Sequence, residues 1–104
     1  MSELSYQNAL ESEQKVAQLI ASIDESVVQI RQYQTEYSQD IVDMDARIIA
    51  RGMPDIDKRM RTVKFLQQLL QMEFDQLRQR DDLKSRLWQA KCMTATALQK
   101  LKVS

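Results

Sequence analysis

A single break governs what this chain can fold into. Its only glycine and its only proline, Gly52 and Pro54, stand two residues apart near the midpoint of 104 residues. These are the two strongest punctuators of regular structure, so their confinement to one place predicts helix, turn, helix. Pro54 suits the first position of a second helix, where its missing N–H is not needed, and Gly52 suits the left-handed residue that closes the first. Asp55 and Asp57 would then sit at the positive end of the second helix dipole. The expected fold is all-α: one antiparallel coiled-coil hairpin over residues 1–104, with a helix over about 4–50, a turn at 51–54 and a helix over about 55–101.

The first half carries a clear seam. Alternate steps of three and four from Tyr6 reach Ala9, Glu13, Val16, Ile20, Ile23, Val27, Ile30, Gln34, Tyr37, Ile41, Met44 and Ile48, with only Glu13 and Gln34 interrupting. A two-per-heptad apolar stripe of that length is the signature of a helix covered by another helix. In the second half the same stepping gives Ile56, Met60, Val63, Gln67, Leu70, Phe74, Leu77, Asp81, Lys84, Trp88, Lys91, Ala95 and Leu98, a poorer stripe.

A tight turn makes facing residues of the two stripes have numbers adding up to about 104. That register pairs Ile30 with Phe74, Val27 with Leu77, Val16 with Trp88 and Glu13 with Lys91. The last pairing turns two defects into one complementary pair. Asp81 and Lys84, however, would face Ile23 and Ile20, where an unpaired buried charge is costly. A slight rotation of the second helix, bringing in Leu83 and Leu87, removes the conflict.

Charge supports side-by-side packing. The formal net charge is zero, but residues 1–50 hold 9 acidic and 3 basic side chains, and residues 51–104 hold 6 acidic and 12 basic. Two halves of opposite sign attract, and neither leaves a uniformly basic face for nucleic acid. The local cluster Lys58, Arg59, Arg61 and Lys64 reads as a solvated face answering Glu36, Asp40, Asp43 and Asp45.

Site chemistry is sparse. There is no histidine, so the commonest transition-metal ligand is missing, and the single cysteine, Cys92, excludes an intrachain disulfide. Cys92 is expected as a small buried apolar residue in a reducing cytosol. Acidic pairs such as Asp43 with Asp45 lack the concave, water-excluding setting that acid–base catalysis requires. No cofactor and no metal are expected, and the chain reads as non-enzymatic. The N-terminus shows no leader-like pattern and no run reaches the length of a membrane span, so a cytoplasmic protein without membrane insertion is expected.

One apolar group falls outside the predicted seam. Phe65, Leu66, Leu69 and Met72 lie at helical spacing near the turn, and a lone hairpin has nowhere to bury them. They are the candidate partner-binding residues, with Tyr33 and Tyr37 on the first helix as further candidates. Either a homodimer, as a four-helix bundle, or a foreign protein would cover them.

The segment Gln29-Ile30-Arg31-Gln32-Tyr33-Gln34-Thr35-Glu36-Tyr37, followed after a break by Leu66-Gln67-Gln68-Leu69-Leu70 and by Arg86-Leu87-Trp88, resembles the FliJ/YscO export proteins of flagellar and virulence type III secretion systems. The likeness covers about residues 13–98. It implies a coiled-coil stalk or central rod that inserts into a hexameric export ATPase and contacts the export gate and secretion chaperones. The chain is short for that pattern, with little beyond the hairpin at either end. Two other readings fit the residues: a small helical secretion chaperone that dimerises or holds a helical cargo, and a subunit of a cytoskeletal or kinetochore coiled-coil complex.

Overall fold

The computed structural model describes residues 2–51 and 56–103, and they form two α-helices, α1 (Ser2–Arg51) and α2 (Ile56–Val103). The expected turn at Gly52 and Pro54 lies outside the described residues. Glu3 and Asp57 occupy the first turns and Arg51, Lys100 and Lys102 the last, each matching the sign that the helix dipole favours. The fold is an antiparallel two-helix hairpin.

The chain packs as two units, each an antiparallel pair of helix segments. One joins residues up to Glu25 with those from Leu77 onward; the other is Ser26–Gln76. In the first unit Glu13 meets Lys91 at 3.4 Å and Asp24 meets Arg80 at 3.0 Å. In the second, Arg31 meets Glu73 at 3.0 Å and Asp45 pairs with Arg59. The residue numbers of all four pairs add up to 104, the register the sequence predicts. Three of the four run from an acid on α1 to a base on α2, following the charge split between the halves.

Every member of the predicted α1 stripe, from Tyr6 to Ile48, is buried or half-buried. Val27, Ile30 and Met44, all in the second unit, are the buried apolar side chains among the described residues. The stripe of α2 requires a correction. Its main inward run is Arg59, Thr62, Leu66, Leu69, Glu73, Gln76, Arg80, Leu83, Leu87, Ala90, Thr94, Ala97 and Leu101, a heptad repeat one residue earlier than expected, while Ile56, Val63 and Leu77 of the expected stripe stay half-buried on its margin. Phe74 is 56% exposed and Trp88 70%, so neither is the seam partner of Ile30 or Val16.

The physical reason lies in the charges. The expected seam would set Asp81 and Lys84 against isoleucines; in the observed one both are exposed, and Leu83 and Leu87 turn inward. The observed seam buries charge too, but each instance finds its opposite on α1. Arg59 has Asp45, Glu73 has Arg31, and Arg80 Nε lies near Asp24 Oδ1, off the axis of a hydrogen bond. Thr62 and Thr94 are buried as well, and each hydroxyl donates to the carbonyl four residues back, Lys58 and Ala90, at 2.9 Å.

Candidate functional site

The one-residue shift of the α2 seam divides the predicted patch. Leu66 and Leu69 are half-buried seam residues, a correction to their expected off-seam place. Phe65 and Met72 remain outside it, 53% and 48% exposed. The split follows from the heptad: Phe65 and Met72 each immediately precede an inward residue, Leu66 and Glu73, and so sit on the flank of the seam.

α1 brings Tyr33 and Tyr37 to the same flank of the second unit. Tyr37 belongs to the seam and is half-buried, while Tyr33 stands beside it, exposed. The Tyr37 and Phe65 rings stack across the two helices with centroids 6.4 Å apart and planes 19° from parallel. Tyr33, Tyr37, Phe65, Gln68, Leu69 and Met72 line one hollow of about 240 Å³. Five of the six predicted contact residues therefore surround a single concavity; Leu66 does not line it.

A second hollow of about 400 Å³ shares Tyr37 and Phe65 and extends the groove toward the turn end of the unit. Its lining is mixed: Tyr37, Met44 and Phe65 stand among Asp40, Asp43 and Arg47 of α1 and Lys58, Arg61 and Thr62 of α2. Two members of the basic cluster, Lys58 and Arg61, thus share this hollow with Asp40 and Asp43. Near it Arg59 Nη2 donates to Asp45 Oδ2 at 3.2 Å, which holds the Asp45 carboxyl below its ordinary range and raises the guanidinium.

The groove offers a particular kind of chemistry. Its middle is a stacked aromatic pair with a flexible thioether beside it, suited to an apolar side chain, and one end presents both signs of charge.

The first unit contains a hollow that the sequence reasoning missed, about 480 Å³ between Ser5, Ala9, Cys92, Met93, Thr96, Ala97 and Lys100. The available signal was size: Ala9 on one seam and Ala97 on the other leave room that bulkier pairs would fill. Cys92 is exposed there, which corrects its expected burial; the earlier seam turns position 92 outward. Among the described residues no three metal-ligating side chains converge, and no helix is long and apolar enough to cross a membrane. No family model, curated protein or solved structure matches the chain.

Proposed function

We propose that this protein is a non-catalytic, cytoplasmic coiled-coil component of a bacterial type III protein-export apparatus, acting as stalk or central rod with the export ATPase. What supports the reading is a coincidence of place. The Tyr33–Tyr37 segment that carries the resemblance to the export stalk family also supplies the α1 wall of the aromatic groove. The hairpin bears load and the groove holds a partner helix. Cross-helix ion pairs fix the register, so a twist applied at one end is resisted rather than absorbed by slippage. Copurification of the full chain with the hexameric export ATPase of its own host tests this: a stable complex is expected, and an ATPase that ignores the chain removes the stalk role.

A secretion chaperone is the second reading, favoured by the thin core. Many large apolar side chains are more than half exposed, among them Ile49, Leu70, Trp88 and Met93. A chaperone melts at low temperature alone and is stabilised by cargo, because a ligand that binds only the folded state adds to its stability. A stalk is stiff by itself.

A further inference from the structure

The outward face of α2 in the first unit carries a pattern that is its own antiparallel complement. Leu77, Asp81, Lys84 and Trp88 follow one another at steps of four, three and four, the spacing of a coiled-coil stripe. Leu77 is half-buried on the margin of the seam, and the other three are exposed. Trp88, the chain's single tryptophan, is 70% exposed. Neither Asp81 nor Lys84 makes an ion pair among the described residues.

We propose that this stripe is the contact of a homodimer in which two copies of α2 lie antiparallel about a twofold axis between Asp81 and Lys84. In that arrangement Asp81 of each copy meets Lys84 of the other, and Leu77 of each copy meets Trp88 of the other. The layers repeat the geometry that already joins α1 to α2 within each unit. A parallel pairing sets aspartate on aspartate and lysine on lysine, which costs rather than gains. A stripe meant for an unrelated helix has no need to complement itself, whereas a twofold contact requires it. The contact is independent of the function proposed above and of the aromatic groove, which lies in the other unit.

Four side chains per copy make less than a standard interface, so the dimer is weak and concentration-dependent. Sedimentation of the full chain from about 10 µM to about 1 mM, with Trp88 emission followed in parallel, reads it directly. A rise in mass with a blue shift of the emission is expected. Asp81→Lys and Lys84→Asp should each weaken association about tenfold or more by placing like charges together, and the double exchange should restore it to near the original strength. Trp88→Ser, with no charge change, should also weaken it about tenfold. Circular dichroism checks that each variant stays helical. A chain that remains monomeric to about 1 mM, single reversals without effect, or a double exchange as weak as the singles would each overturn the proposal.

Discussion

The side-chain amide of Gln34 donates to the main-chain carbonyl of Leu69 at 3.4 Å, joining the two helices through a polar group at a seam position. The bond is long and only partly buried, so it contributes at the low end of about 0.5–1.5 kcal/mol. A leucine in its place removes that bond and covers apolar area worth about 1.5–3 kcal/mol if fully buried. Gln34→Leu should therefore raise the melting temperature, by about 4 °C or more for a chain of this size. It should also loosen the choice of oligomeric state, since a seam glutamine disfavours alternatives. A fall in melting temperature, read by circular dichroism, would show the hydrogen bond to outweigh the packing.

Gln76 is the contrasting case. It too lies on the seam, but its Oε1 is buried without a hydrogen-bond partner among the described residues. An unmet buried acceptor costs about 1–3 kcal/mol, so Gln76→Leu should stabilise by about that amount in urea titration. An unchanged midpoint would mean that the carbonyl is solvated in solution.

The Asp45–Arg59 pair sets a pH dependence. Because Arg59 donates to it, the folded Asp45 carboxyl lies below the ordinary aspartate value. A group depressed on folding stabilises above its unfolded pKa, and that contribution is lost as pH falls through the folded value. Asp45→Asn should thus be less stable than the parent at neutral pH, with the gap closing as pH falls below the ordinary aspartate range. The side chains are 40% and 42% exposed, so the gap should be small and shrink with salt. Melting curves of both proteins from pH 7 to about pH 2 check it; a gap that persists in acid would assign the loss to packing.

The difference between the two helices explains what the sequence could and could not reveal. On α1 the isoleucines and valines of one stripe have few rivals, so every position that periodicity located is inward, with Leu10, Ser26 and Asp45 half-buried beside them. On α2 two stripes compete. Met60, Leu70, Phe74, Trp88 and Leu98 make the later one richer in large apolar groups, and counting favours it. The structure uses the earlier one because Arg59, Glu73 and Arg80 meet counter-charges at Asp45, Arg31 and Asp24. That criterion belongs to the pair of helices, not to either alone. The later stripe also leaves Leu66 and Leu69 outside the seam, whereas Phe65, Met72 and Tyr33 have the exposed places expected of them and Tyr37 its expected place on the α1 stripe. The register itself was visible, since Glu13 and Lys91 announce it and do pair.

Adjacent residues of the groove should now separate in function. Phe65 and Met72 project from the flank, so changing both to serine should leave helicity nearly intact and lower stability only slightly, chiefly through the lost Tyr37 stack, about 0.5–1.5 kcal/mol. Leu66 and Leu69 lie in the seam, and changing both to alanine should destabilise clearly; each is half-buried, so each falls below the about 2–5 kcal/mol of a full core truncation. Melting curves establish the two classes, and capture from the native host alongside sedimentation then identifies what the flank holds. With the serine variant, loss of an export ATPase or gate protein supports the stalk, loss of a secreted substrate supports the chaperone, and loss of a dimer places self-association on this groove. A serine variant that keeps every partner and its oligomeric state would show the groove to be ordinary surface, and the aromatic stack to serve the hairpin alone.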